Sequence, residues 1–236
     1  MIDVRPFATL GGANHGWLKA RHHFSFANYH DPARMNWGRL RVWNDDEIAP
    51  GTGFDAHPHR DMEIITYVRD GAITHRDNLG NEGRTEAGDV QIMSAGTGVV
   101  HAEYNLEPET TRIFQIWIMP DVRGAKPNWG AKQFPKAARE AGFEVLASGR
   151  PADAGNGALP LNVDGAVMAA TLEAGQTLTQ PLAIGRAAYL VPAKGAVTVN
   201  GVALNARDGA GIVDEDTIAI TATEDAELVM VEVAKE

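Results

Sequence analysis

The sequence predicts an all-β protein made of two copies of one barrel, and three observations carry that expectation. Runs rich in Val, Ile, Thr and aromatic residues recur, among them RLRVW, MEIITYV, DVQIMSA, RIFQIWIM, AAYLVPA, AVTVNG, TIAITAT and AELVMVEV, each bounded by Gly, Pro, Asn or Asp. Period-2 strands broken by turn residues are the pattern of a sandwich or barrel. Gly51, His57, His59 and Gly71 have the same mutual spacing as Gly175, Pro181, Ala183 and Gly195, so the second strand-rich half reads as a repeat of the first. Between the halves, RGAKPNWG and SGRPADAGNGALP concentrate Gly, Pro, Ala and Asp, the composition of a linker.

These features divide the chain into a first, metal-binding barrel over residues 1–125, a linker over 126–160 and a second, degenerate barrel over 161–236. The linker contains the one helical signal, KAAREAG at Lys136 to Gly142, where Ala, Arg and Glu favour helix and Gly suits its end. It reads as a short helical connector. DNLGNEG is hairpin-turn chemistry, since Asn and Gly tolerate positive φ.

Composition excludes several function classes. Lys plus Arg number 21 against 31 Asp plus Glu, a net charge of -10, and phosphate-backbone binding relies on clustered positive charge. Direct nucleic-acid binding is therefore not expected. The chain has Cys 0, so a metal site would have to come from His, Asp and Glu. No leader-like start and no apolar run near the ~18 residues of a membrane helix is present, which makes cytoplasm the expected compartment and membrane association unexpected.

Residues at i and i+2 on a strand share a face, so His57 and His59 in FDAHPHRDMEIITYV can offer two imidazoles to one point. His101 and Glu103 in GTGVVHAEYN have the same spacing. Either pair alone is commonly turn or surface chemistry. Together, each after a turn and beside apolar strands, they predict convergence into a cluster of three imidazoles and one carboxylate, an N/O donor set suited to Fe, Mn, Co, Ni, Cu or Zn. All 8 histidines fall at or before His101, which confines such a site to the first copy.

The same residues carry a family resemblance. Gly51, His57, His59 and Gly71 resemble the first cupin motif, and Gly88, Gly96, His101 and Asn105 the second. HPHRDMEIITYV and MSAGTGVVHAEYN resemble the pirin family of two-barrel cupins, its bacterial quercetinase-like members above all, and RHHFSFANYHDP and GRLRVWNDDEIAPGTGF are similar to that family's N-terminal region. The likeness runs from about Val4 to Pro120 and thins to general barrel character beyond the linker. Two departures from the general cupin pattern stand out: Glu63 follows the histidine pair at the shorter of the usual spacings, and Ser94 replaces a usual Pro with two extra residues before His101. Both features of the second motif match the pirin pattern, which implies His57, His59, His101 and Glu103 as metal ligands and leaves Glu63 as an expected outer-shell residue.

The resemblance implies a bicupin fold and a metal-dependent dioxygenase of quercetinase type, cleaving a flavonol or similar enol-ketone with O2. The expected cofactor is one divalent transition metal, iron first, with Cu, Ni, Co, Mn or Zn open. Glu103 is the expected catalytic residue, either tempering the metal's charge as a ligand or taking the substrate's 3-hydroxyl proton as general base. The expected partners are a small aromatic substrate and O2, with a monomer favoured. An alternative is a pirin-type regulator acting through a protein partner without turnover, and a third reading is a non-oxidative cupin enzyme such as an isomerase.

Other candidates receive no catalytic role. His22, His23 and His30 could line a pocket above the metal or belong to a strand packed on the barrel, and His75 in ITHRDNLG leads into a turn and is expected on a solvated face. Phe26, Phe54, Phe114 and Trp117 could shape a substrate site, although buried aromatics are more often core.

Overall fold

The computed structural model describes residues 1–134 and 142–235, and the chain is all-β. The strands are β1 (Ile2–Arg5), β2 (Gly11–Asn14), β3 (Leu18–His22), β4 (Leu40–Ile48), β5 (Thr52–His59), β6 (Glu63–Asp70), β7 (Ala72–Asp77), β8 (Glu82–Glu86), β9 (Val90–Ser94), β10 (Val99–Asn105), β11 (Thr111–Ile118) and β12 (Asn128–Lys132). They continue with β13 (Glu144–Ser148), β14 (Leu159–Pro160), β15 (Gly165–Leu172), β16 (Thr177–Pro181), β17 (Arg186–Lys194), β18 (Val197–Val199), β19 (Val202–Leu204), β20 (Gly209–Val213), β21 (Thr217–Ala222) and β22 (Ala226–Ala234). Apart from strands, the described residues form only short 3-10 turns such as Phe7–Thr9, Pro32–Arg34 and Pro151–Asp153. The helix expected at Lys136 to Gly142 lies, except for Gly142, outside the described residues.

The repeat expected from glycine spacing is a repeat of topology. The first half has a seven-stranded sheet ordered β12-β9-β6-β11-β4-β3-β2 and a four-stranded sheet ordered β5-β10-β7-β8. The second half matches it with β1-β20-β17-β22-β15-β13-β14 and β16-β21-β18-β19. Gly71 and Gly195, with φ of 75° and 73°, make equivalent tight turns after β6 and β17. An added Cβ would crowd Thr111 in one case and the Asp225 carbonyl in the other, so both positions need glycine for its conformation and for space. Among the described residues no ladder joins the two sheets of either half. Each unit is therefore an open double sheet of the jelly-roll kind, where a closed barrel was expected.

Three strands lie inside the stretch read as linker. β12 extends the first half's large sheet by pairing with β9, and β13 and β14 form the edge of the second half's large sheet. β1 crosses over to the second half, pairing with β20 from Ile2↔Ile212 to Arg5↔Gly209. Strand pairing thus ignores the sequence boundaries at 125 and 161.

Strand alternation sorts the core. On the large sheets, Trp43, Ile65, Tyr67, Ile92, Phe114 and Ile116 of the first half meet Val167, Ala169, Tyr189, Val191, Val229 and Val231 of the second in one continuous buried cluster. Burying side chains of this size contributes roughly 1.5–3 kcal/mol each. The halves are also tied by polar contacts: Tyr67 donates to Glu227 Oε1 in the buried interface at 2.5 Å, and Arg207 Nε, half-buried, donates to Asp45 Oδ2 at 2.5 Å. Glu63 belongs here. It shares the strand face of Ile65 and Tyr67, accepts from Ser94 Oγ at 2.6 Å and from the Asn162 backbone at 3.2 Å, and holds the halves together. The outer-shell expectation for Glu63 is thereby corrected, because the period of 2 turns it away from the histidines.

The opposite face of the first large sheet carries a polar row. Register aligns His22, Asn44, Gln115, Thr66 and Gln91 across five strands, all directed toward the small sheet. Between the sheets at this level lies the candidate site.

Candidate metal centre

Three ring nitrogens converge where β5 and β10 pair. Register places His101 directly opposite His57, and the i, i+2 spacing brings His59 onto the same face. His57, His59 and His101 each offer one nitrogen within 4.8 Å of the others. Their ring centroids form a nearly equilateral triangle with sides of 4.8, 4.5 and 5.0 Å, and the Nε2 atoms of His57 and His101 face each other at 3.1 Å. His57 Nδ1 is engaged by the Asp55 carbonyl at 2.6 Å. Donating its proton there leaves the His57 Nε2 lone pair directed inward.

Electrostatics keeps two of the rings, His59 and His101, neutral. Burial, reinforced by the neighbouring imidazoles, pushes His59 down to about 4 and His101 down to about 3. Neutral imidazoles held with lone pairs face to face are suited to divalent transition-metal ligation, so the residues present fit a metal ion.

Glu103 lies beside the triangle. Its carboxylate groups within 4.8 Å with His101 and His75, whereas His57 and His59 fall in the other group. A register shift on the β5 side separates His101 from Glu103, which pairs with Phe54; such bulges re-aim side chains. The polar row fixes the carboxylate: Oε1 accepts from Thr66 Oγ1 at 3.0 Å and Gln91 Nε2 at 2.6 Å, and Oε2 accepts from Gln115 Nε2 at 2.5 Å. With about two lone-pair sites per carboxylate oxygen, Oε2 retains capacity for one further bond.

A cavity of about 550 Å³ opens over the histidines, lined by Trp17, His22, Phe26, Asp46, Phe54 and Trp117 among others, within the usual range for small-molecule pockets. Trp117 meets His59 edge-on at 5.0 Å and Phe26 at 5.4 Å. Phe114, by contrast, packs on Trp43 in the core between the halves. His22 lines the cavity and bonds Asn44 Oδ1 at 2.8 Å, while adjacent His23 faces the other way and bonds the Tyr189 hydroxyl at 2.9 Å. His30 is exposed.

Asp46 is the least expected wall residue. It is only 2% exposed, and its Oδ1 has no hydrogen-bond partner among the described residues. Burial, together with the charges of Asp45 and Glu103, raises its pKa well above the usual carboxylate range despite Arg69.

The sequence reading missed Thr66, Gln91 and Gln115, although each is a polar residue inside an apolar strand run. It also misplaced His75. That side chain is 1% exposed, against the solvated face expected of it, because Trp129 of β12 stacks on the ring at 5.0 Å and 14°.

Two units of cupin-like double sheet, with an imidazole cluster in the first, define a two-unit cupin-type metal-binding protein. The comparisons with known proteins agree. The Pirin family model matches residues 3–118, and that of the quercetinase C-terminal cupin domain matches residues 145–233. The chain is 69% identical over 234 residues to a pirin-like protein of Caulobacter vibrioides, covering 99% of this chain and 100% of that one. It is 42% identical to the quercetin 2,3-dioxygenase of Escherichia coli K12, over 98% of this chain and 97% of that one. The crystal structure of a bacterial pirin from Escherichia coli in complex with nickel(II) superposes with a TM-score of 0.93 at 40% identity, covering 100% of both chains. The chain belongs to the pirin family.

Proposed function

We propose that this protein is a metal-dependent dioxygenase of quercetinase type, acting with O2 on a flavonol or a similar enol-ketone at a mononuclear site of His57, His59, His101 and Glu103. The observation that carries the proposal is the convergence of three imidazoles beneath a cavity of about 550 Å³ with aromatic walls. The named activity of the Escherichia coli relative supports the substrate class, and iron is the metal we expect. Once bound, the metal supplies Lewis-acid activation of the substrate's enol oxygen.

The chain's own residues supply the rest. Trp117, Phe26 and Phe54 provide flat apolar surface for an aromatic substrate, which orients it before reaction. Glu103 Oε2 accepts from Gln115 Nε2 and has one further lone pair, which ligates the metal or, once released from it, takes the 3-hydroxyl proton as general base. Thr66 and Gln91 fix Oε1 and so hold the carboxylate in place during that transfer.

Oxygen uptake with quercetin, measured on protein analysed for bound metal, tests the proposal against a His57→Ala, His59→Ala control. Uptake that disappears with the metal is the expected result. Bound metal without uptake would reject turnover of this substrate and favour the regulatory, partner-binding reading. For Glu103→Gln, normal turnover with retained metal would eliminate the general-base role.

A further inference from the structure

We infer that His75 and Asp77 form a positioning relay that sets the tautomer and aim of His101. The inference rests on the proposed metal role of His101. It starts from three contacts in sequence: His101 Nδ1 lies 3.3 Å from His75 Nδ1, His75 Nε2 lies 3.2 Å from Asp77 Oδ2, and Asp77 is itself held by three donors. Those donors are Leu79 N at 2.9 Å and Asn81 N at 3.0 Å, both to Oδ1, and Asn81 Nδ2 at 2.8 Å to Oδ2. Burial alone would raise the Asp77 pKa, but donation from Asn81, His75 and Leu79 overcomes it and keeps the group a carboxylate.

Proton placement then follows for singly protonated rings. An ionised carboxylate only accepts, so a His75 ring with one proton carries it on Nε2 and presents a lone pair at Nδ1. His101 must then carry its proton on Nδ1, which leaves the Nε2 lone pair facing His57 Nε2. His57 reaches the same state by another route, through the Asp55 carbonyl. Each of the two facing histidines is thus oriented by its outer nitrogen, and such outer partners fix ring orientation and raise ligand basicity.

The surroundings are built to keep His75 in place. Register sets His75 of β7 opposite Gly83 of β8 and opposite Glu103 of β10. A Cβ on Gly83 would come within 2.3 Å of the Trp129 ring, so the glycine makes room for the indole that covers His75. The group of His75, His101 and Glu103 also satisfies ligand spacing. The relay explains that spacing without a second ion, since His101 Nδ1 is occupied as a donor to His75.

Nickel(II) affinity by competition dialysis tests the inference on three proteins. The unaltered chain is expected to bind one equivalent. His75→Phe keeps an aromatic ring against Trp129 but removes the acceptor, and is expected to bind about 10–100-fold more weakly. His75→Asn restores an acceptor near the Nδ1 position and is expected to recover part of the loss. A packing role alone predicts that the Phe variant binds normally, and that result would overturn the relay while leaving the metal reading intact. No nickel bound by the unaltered protein would overturn both. A second measurement needs no variant: long-range 15N–1H correlation spectra of zinc-loaded protein should place the His75 proton on Nε2 and the His101 proton on Nδ1. A proton on His75 Nδ1 would overturn the inference.

Discussion

The two halves share the order of their central strands and differ at the sheet edges and in the side chains that face between their sheets. In the first, His22, Asn44, Gln115, Thr66 and Gln91 line up across the large sheet and face the small one. The equivalent row in the second is Val145, Met168, Met230, Leu190 and Ala210, packed with Leu178, Ile218 and Ile220 into a filled core. His57 pairs with His101 across β5 and β10, whereas Pro181 pairs with Thr217 across β16 and β21. One architecture thus serves as reaction vessel and as support, and the choice is made by the face directed between its sheets. The support pattern is the simpler one physically, because apolar side chains need no partners, while every buried amide or carboxylate must find one.

The largest expected effect comes from removing the support. Deleting residues 161–236 would bare Trp43, Ile65, Tyr67, Phe114 and Ile116 to water, and we expect insoluble protein; a soluble, monodisperse first half would break the comparison. Next, His57→Ala with His59→Ala should lose metal by more than the ~10–100-fold typical of losing an outer partner. The reciprocal Pro181→His, Ala183→His should gain no second equivalent in metal analysis, since the second half lacks a polar row to hold ligands.

Exchanging single members of the rows gives smaller effects. Met230→Gln buries an amide among aliphatic side chains and should destabilise by about 1–3 kcal/mol in urea unfolding. Gln115→Met, the opposite exchange, should cost about 1.5–3 kcal/mol in urea unfolding, because buried Glu103 Oε2 loses a donor to a charged group, and turnover should drop roughly 10-fold, the factor that about 1.4 kcal/mol makes in a rate. The smallest effect concerns Asp46. Folding raises its pKa, so above the unfolded value of about 3.9 the folded chain keeps a proton that the unfolded chain has released. Stability therefore falls as pH rises from about 4 toward the folded pKa. Asp46→Asn should flatten that slope, and unchanged melting curves across the range would refute it.

Much of this was legible in the sequence. The glycine spacing predicted the repeat because tight turns demand glycine wherever they occur, and the convergence of His57, His59 and His101 was visible because strand geometry converts a spacing of two into a shared face. His75 and Asp77 in AITHRD have that same spacing, but the DNLG turn beside them assigned His75 to solvent. What buries them is Trp129, within a stretch whose Gly and Pro content concealed β12 and β13. Glu63 was misread for a related reason: its distance from the histidine pair was counted, but its parity along β6 was not. Long-range pairing decided each of these cases, and composition within a short window contains no record of it.

β1 gives the fold an order in time. It precedes every strand of the half to which it docks, yet its partner β20 emerges about 200 residues later, roughly 10–40 s at ribosomal rates of 5–20 residues per second. During that interval the strand must wait without recruiting another chain. Its four residues alternate Ile2 and Val4 with charged Asp3 and Arg5, a short and charged edge of the kind that resists promiscuous pairing. The second half is therefore completed by a segment made before any of its other strands, and that edge of its sheet forms only once β20 has emerged.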